Sequence, residues 1–311
     1  MDGWHHTLMF LQMVRGGYFL LTTWEEKALQ ALSQTREITV GSRTIYLQEF
    51  GNGPAVLMLH GGGPGANGMS NYSRNVDALS DRYRVLVPDM PGFGASTKGL
   101  DQSDLFGDLA QTMVGLLDAL NIERSHVVGN SLGGACALRM ALEVPDRIRR
   151  LVLMGPGGIG TTRGLPTEGI RQLIGYYKGD GPSREKIRNF IREYLVYDGS
   201  LVSDDLIEVR YQASLDPEVI ASPPLQGPKS LDAAVKMDLT RDKRLKTLAH
   251  PTLILWGRED RVNKPSGGRS LSRKLRNCDL YEFANTGHWV QWERADEFNA
   301  VVLAFLNQEA S

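Results

Sequence analysis

The sequence predicts an α/β fold, a mostly parallel, doubly wound sheet with a helical segment inserted after the sixth strand. Three observations carry this. Short continuous apolar runs recur at 55–60 (AVLMLH), 83–88 (YRVLVP), 126–129 (HVVG), 151–154 (LVLM) and 252–256 (TLILW), the mark of strands buried on both faces. Helical periodicity separates them, at about 104–121 and at 132–143. From 158 to 246 the strand rhythm stops, and helical stretches such as TRGLPTEGIRQLIGYY and REKIRNFIREYLVYD take over. Buried strands alternating with helices argue for a parallel sheet covered on both faces.

Taken in order, residues 1–36 read as an arm outside the core. Its apolar stretch at 8–21 (LMFLQMVRGGYFLL) carries Arg15 and Gly16-Gly17 inside, with no basic region before it and no small-residue cleavage site behind it. It does not read as a secretion signal, and it is shorter than the roughly 20 residues of a membrane span. It either docks on the body or a partner, or reflects a translation start placed too far upstream. EITVGSR and TIYLQEF (37–50) alternate and meet at Gly41-Ser42-Arg43, which predicts a hairpin. Core segments at 37–157 and 247–311 then flank an insertion at 158–246. An insertion that leaves a sheet and returns to it is expected as a lid over the strands' carboxyl ends, where ligands bind in such sheets.

Bulk properties narrow the function. The 311 residues are 41% apolar and 23% charged, with a formal net charge of −1. Nothing here provides the basic footprint that nucleic acid or an anionic membrane surface requires. The two cysteines, Cys136 and Cys278, are too few for a disulfide scaffold and lack metal-ligand spacing. No metal or cofactor is expected, and a cytoplasmic setting follows.

Chemistry concentrates in VVGNSLGGA (127–135), where Gly129-Asn130-Ser131-Leu132-Gly133 fits G-x-S-x-G. A strand runs directly into Ser131 and a small-residue helix runs directly out, the context of a nucleophile elbow. Glycines let strand and helix close around a strained serine. A serine that merely caps the helix is the bland alternative. The hydroxyl needs a base, and the base needs an orienting carboxylate. His288, on the loop after the strand ending at Phe283, is the candidate base, and Asp260, after the strand ending in WGRED, is the candidate acid. Glu259 is its rival. Backbone N–H groups of Gly62, in the glycine run after His60, and of Leu132 are the expected oxyanion hole.

Five blocks, HGGGPGANGMSNYSRN, VVGNSLGGA, LVLMGPGGIG, WGREDRVNKP and NTGHWVQWERADEFN, stand in order from about residue 38 to the end. Together they resemble the meta-cleavage product hydrolases. These are α/β-hydrolases that cleave carbon–carbon bonds in ring-fission products of bacterial aromatic and steroid degradation. The resemblance implies an α/β-hydrolase fold, a homo-oligomer (dimer or higher), and a small-molecule 2-hydroxy-6-oxo-dienoate as substrate, cleaved to 2-hydroxypenta-2,4-dienoate and a carboxylic acid. It implies Arg210 in the lid as the grip on the substrate carboxylate, with Asn71, Asn130 and Trp289 around the 2-oxygen and Gly61 as a further substrate-binding residue. An arginine can hold a carboxylate bidentately, and an indole donates while walling off water. Arg210 could instead be one more solvated lid arginine, Asn71 a cap, Asn130 an elbow brace and Trp289 plain packing. A carboxylesterase or thioesterase with the same triad remains open, as does a non-catalytic ligand receptor of this fold. Which 6-substituent is carried, and whether serine or a gem-diol route cleaves the bond, stays open at the level of sequence.

Overall fold

The computed structural model describes residues 33–308, so the apolar stretch at 8–21 lies outside the described residues. Eight strands form one sheet in the order β1-β2-β4-β3-β5-β6-β7-β8. They are β1 (Ser33–Val40), β2 (Arg43–Phe50), β3 (Ala55–Leu59), β4 (Arg84–Pro88), β5 (Ser125–Asn130), β6 (Ile148–Met154), β7 (Thr252–Gly257) and β8 (Cys278–Phe283). β1–β2 and β2–β4 pair antiparallel; every other pairing is parallel. β1 begins at Ser33, ahead of the expected start at Glu37, because Ser33 to Arg36 continue the ladder with β2. That extension is polar, and Arg36 pairs with Glu49 across the hairpin, so no apolar alternation announces it.

Central strands read as unbroken apolar runs because both of their faces are covered. Successive side chains point to opposite faces. Leu57, Val127, Leu151, Leu153, Ile254 and Trp256 accordingly enter one core cluster, while Val56, Met58, Val128, Val152, Leu253 and Leu255 enter the other. The second cluster lies under α1 (Gly68–Tyr72) and the C-terminal helix Ala295–Leu306, the first under α2 (Leu105–Ala119) and α3 (Leu132–Glu143). In α2, Leu105, Leu109, Met113, Leu116 and Leu117 form one buried stripe. Asp104 caps its start on the N–H of Gly107, and Asn121 ends it at φ 54°. Truncating one of these buried leucines to alanine costs about 2–5 kcal/mol.

The chain passes from β3 to β4 on one side, then crosses back over β3 to lay β5 on its other side. Ligand sites of open α/β sheets form at such a switch point, beyond the strands' carboxyl ends. Here the ends of β3 and β5 carry Gly61 and Ser131. Between β6 and β7 the described chain is helical: Glu168–Gly175, Arg184–Asn189, Asp204–Ala213, Pro217–Ala221 and Leu231–Lys236, with one π-type turn at Phe190–Leu195. These helices share their own cluster with Val262, Trp289 and Trp292 from the core. Among the described residues no helix is long and apolar enough to cross a membrane.

Candidate active site

β5 delivers its last residue, Asn130, directly to Ser131, which takes φ 52° and ψ −109° ahead of α3. A non-glycine residue held there costs about 1–3 kcal/mol, and the surroundings leave it no alternative. The Ser131 N–H donates to the Met154 carbonyl at 2.8 Å, and the Ser131 carbonyl accepts from Gly157 at 2.9 Å. Glycine is obligatory on both sides. A Cβ at Gly129 would stand 2.3 Å from the Gly133 carbonyl oxygen, and one at Gly133 would stand 2.1 Å from that of Leu59.

His288 follows β8 on a short turn, and Nδ1 lies 2.7 Å from Oδ2 of Asp260. Both residues are buried. The other carboxylate oxygen of Asp260 accepts the N–H groups of Val262 and Asn263, each at 2.8 Å, which pins the group as an acceptor facing the imidazole. With Nδ1–H donated to Asp260, the lone pair resides on Nε2. That atom is buried and has no partner among the described residues, while Ser131 lines the same cavity. Glu259 does not face the ring. Its Oε2 accepts the Thr286 N–H at 2.9 Å, bracing the turn that carries His288.

The glycine run curls over this pair. Gly61 donates its N–H to Asn71 Oδ1 at 3.2 Å, and Gly133 donates to the His60 carbonyl at 3.0 Å. The N–H groups of Gly62 and Leu132 have no such acceptor among the described residues. Gly61, expected at the substrate, thus has its donor occupied, and a Cβ there would stand 2.8 Å from Asn130 Oδ1. His60 anchors the run: Nε2 accepts the Met90 N–H at 2.9 Å, so Nδ1–H donates to the Gly61 carbonyl at 2.8 Å. Burial pushes this imidazole down to about 4, keeping it neutral in that one tautomer.

Arg210 comes down from the helix Asp204–Ala213 and is 2% exposed. Its Nε donates to the Pro64 carbonyl at 2.9 Å, and its guanidinium lies 5.7 Å from the Trp289 ring centre. No carboxylate pairs with it among the described residues. Burial therefore pushes the guanidinium down to about 10. Asn71 stands between Gly61 and Gln291, whose Nε2 donates to Asn71 Oδ1 at 3.4 Å. The Asn130 Nδ2 reaches the carbonyls of Met154 and His288, each at 3.4 Å. Trp289 is buried and stacks on Trp292 at 5.1 Å. One cavity is lined by Gly61, Gly62, Asn71, Asn130, Ser131, Arg210, His288 and Trp289, with Leu173, Phe190, Leu195 and Val262 as apolar wall.

Three contributors escape a reading by motif. Gly155 (φ 44°) sits against the acid–base pair, where a Cβ would stand 3.2 Å from both Asp260 Oδ2 and His288 Nδ1. Asn263 ties the Asp260 loop to it, donating Nδ2–H to the Gly155 carbonyl at 2.8 Å. Glu293 accepts backbone N–H groups beside His288. A glycine ending a strand was the one visible signal; the two polar side chains look like any loop residue in the sequence.

The sequence profile of the alpha/beta hydrolase family matches residues 56–301. A 2-hydroxy-6-oxo-6-phenylhexa-2,4-dienoate hydrolase of Comamonas testosteroni is 41% identical, over 85% of this chain and 91% of its own. A 2-hydroxy-6-oxononadienedioate/2-hydroxy-6-oxononatrienedioate hydrolase of a Pseudomonas species is 40% identical, over 85% of this chain and 92% of its own. Among solved structures, a meta-cleavage product hydrolase from Pseudomonas fluorescens superposes with a TM-score of 0.78 at 34% identity, covering 89% of this chain and 98% of that one. With this fold and these relatives, the chain belongs to the meta-cleavage product hydrolases of the alpha/beta hydrolase family.

Proposed function

We propose that this chain hydrolyses the C5–C6 bond of a 2-hydroxy-6-oxo-dienoate, using Ser131 as nucleophile, His288 as base and Asp260 as its orienting acid. The observation that carries the reading is Arg210, a buried cation with no carboxylate partner among the described residues, lining the same cavity as Ser131 and His288. A simple ester offers such a group nothing to bind. A dienoate offers a carboxylate.

Breaking a carbon–carbon bond needs a leaving group whose electrons can delocalise. The dienol therefore first becomes the 2-oxo form, its carboxylate on Arg210 and its 2-oxygen near Asn71, Asn130 and the Trp289 indole. His288 Nε2 takes the Ser131 proton, and Oγ attacks the 6-oxo carbon. The Gly62 and Leu132 N–H groups hold the resulting oxyanion, an interaction worth about 10²–10³ in rate for one donor. C5–C6 then breaks, its electron pair flows through the C3–C4 double bond onto the 2-oxygen, and the proton that His288 took from Ser131 ends on that enolate oxygen, releasing 2-hydroxypenta-2,4-dienoate. Water activated by His288 frees the second carboxylic acid from Ser131.

The 6-substituent is apolar on this reading, phenyl or alkyl. Leu195, whose carbonyl accepts the His288 N–H at 2.8 Å, and Val262, whose N–H donates to the Asp260 carboxylate at 2.8 Å, join Leu173 and Phe190 as the apolar wall of the cavity. A second carboxylate pressed on that wall would lose its hydration without gaining a partner. The enzyme acts on carbon–carbon bonds in ketonic substances and works without cofactor as a cytoplasmic homo-oligomer.

The test follows the yellow dienolate. Bleaching of 2-hydroxy-6-oxo-6-phenylhexa-2,4-dienoate, with kcat/KM at least about tenfold above that for the nonadienedioate, supports the reading. Turnover of nitrophenyl esters without bleaching overturns it in favour of an esterase.

A further inference from the structure

We infer that Glu293 is a positioning residue, a single carboxylate that clasps the lid to the turn carrying His288 and so sets the base and the cavity wall together. The turn is held by its backbone. Three consecutive N–H groups find partners on three separate elements. Thr286 donates to Glu259 Oε2 at 2.9 Å, Gly287 to Glu293 Oε1 at 3.0 Å, and His288 to the Leu195 carbonyl at 2.8 Å. Glu293 does more than its share of this bracing, because Oε2 also accepts the Tyr197 N–H from the lid at 2.7 Å. The His288–Leu195 bond joins turn and lid directly, and Glu293 adds a side chain that accepts from both.

The seam is built for closeness. A Cβ at Gly287 would stand 2.7 Å from the Tyr197 nitrogen and 2.9 Å from the Leu195 oxygen. No substituent fits between turn and lid, so a shift in one moves the other. Leu195 lines the cavity beside Ser131 and His288, and the adjoining Val196 is buried in the lid cluster. Glu293 has no cationic partner among the described residues. Burial pushes its carboxyl up even though backbone N–H groups favour the charged form. A carboxylate kept in that setting without a counter-ion is there as a double acceptor. Glutamine of the same shape supplies one acceptor oxygen and one N–H, and the N–H meets a donor.

This inference rests on the proposed role of His288, so the test has an arm that needs no substrate. Amide hydrogen exchange on the free protein is compared for the parent, Glu293→Gln and Glu293→Ala. The Gly287 and Tyr197 amides are expected to speed up together by about tenfold or more, while the β5 and β6 amides stay at the parent rate. With 2-hydroxy-6-oxo-6-phenylhexa-2,4-dienoate, kcat is expected to fall about 10- to 100-fold in Glu293→Ala and less in Glu293→Gln, with KM within about threefold because Arg210 is held by the Pro64 carbonyl and not by the clasp. Independent or unchanged exchange at the two amides overturns the clasp. So does a kcat within about twofold of the parent in a folded Glu293→Ala. If Glu293→Ala fails to fold, Glu293→Gln decides on the same criteria. A parent protein that leaves the dienolate yellow refutes the proposed function, and exchange still decides the clasp.

Discussion

Replacing Arg210 with methionine separates binding from folding in this protein. The side chain is 2% exposed, and one of its nitrogens, Nε, is committed to the Pro64 carbonyl. Its two amino groups have no carboxylate among the described residues. The drop from 12.5 to about 10 means that keeping the charge costs about 3 kcal/mol at about 1.4 kcal/mol per tenfold. A bound carboxylate recovers that cost and adds charge-assisted hydrogen bonds. Deleting one partner of a buried, hydrogen-bonded charge pair costs about 2–5 kcal/mol, so kcat/KM for the dienoate is expected to fall by about 30- to 5,000-fold. Stability moves differently. Arg210→Met removes an uncompensated buried charge and leaves one carbonyl unsatisfied, two effects of similar size and opposite sign. The expected Tm lies within about 3 °C of the parent. Dienolate bleaching over a range of substrate concentrations and a thermal melt of the free protein complete the experiment. A kcat/KM within about threefold of the parent, or a melt lowered by about 8 °C, would show the guanidinium to be a structural group and refute the reasoning.

Asp260→Asn retains an acceptor for the Val262 and Asn263 N–H groups but turns an amide N–H toward His288 Nδ1; the imidazole is forced into the other tautomer, and kcat for bleaching is expected to fall about 10⁴-fold. Gly155→Ala must hold φ 44° and bring a Cβ within 3.2 Å of Asp260 Oδ2 and His288 Nδ1; kcat should fall about 10- to 100-fold, read in the same assay. His126, far from the site, tests electrostatics of the core. It is 7% exposed, stacks edge-on against Tyr83 at 5.8 Å, and burial pushes it down to about 4 from 6.5. Its folded value lies below the unfolded one, so the unfolded chain takes up the proton first and stability is lost as pH falls from 6.5 toward 4. At about pH 5 this amounts to about 2 kcal/mol. Denaturant unfolding at neutral pH and at about pH 5 should show His126→Phe losing about 2 kcal/mol less than the parent between the two; equal losses would refute it.

Much of this architecture was legible because its physics is local. AVLMLH and TLILW announce doubly covered strands, since a strand buried on both faces has no polar side to show. The glycines around Ser131 are legible for the same reason: 129 and 133 face backbone at 2.3 and 2.1 Å, and no other residue fits. What escaped is what depends on a partner distant in sequence. The ladder at Ser33 to Arg36 is polar and becomes visible only against β2. Of the adjacent acids on one loop, Asp260 is the one the sequence puts forward and the one that lies against His288, but the Thr286 N–H that occupies Glu259 comes from a distant turn and is not foreseen. Glu293 is silent because a carboxylate that binds backbone N–H groups looks, in sequence, like one that binds water.

The division of labour between core and insertion explains why a generic hydrolase motif was easy to find and its chemistry was not. The switch point between β3 and β5 sets Ser131, Gly62 and Leu132 in place, and the loops after β7 and β8 add Asp260 and His288. Those parts suit any acyl transfer. Arg210, the buried cation to which the proposed function assigns the dienoate carboxylate, and the apolar side chains of Leu173 and Leu195 come from the segment between β6 and β7. There, short capped helices leave no strong periodic pattern, and Arg210 reads like its neighbours Arg184, Arg188 and Arg192. Structure separates them by their partners. Arg184 pairs with Glu208, while Arg188 and Arg192 both reach the exposed Asp204. Arg210 turns inward, where a backbone carbonyl and an indole meet it and no carboxylate pairs with it among the described residues. A buried charge without a protein counter-ion is costly enough to demand a reason, and a substrate carboxylate supplies one.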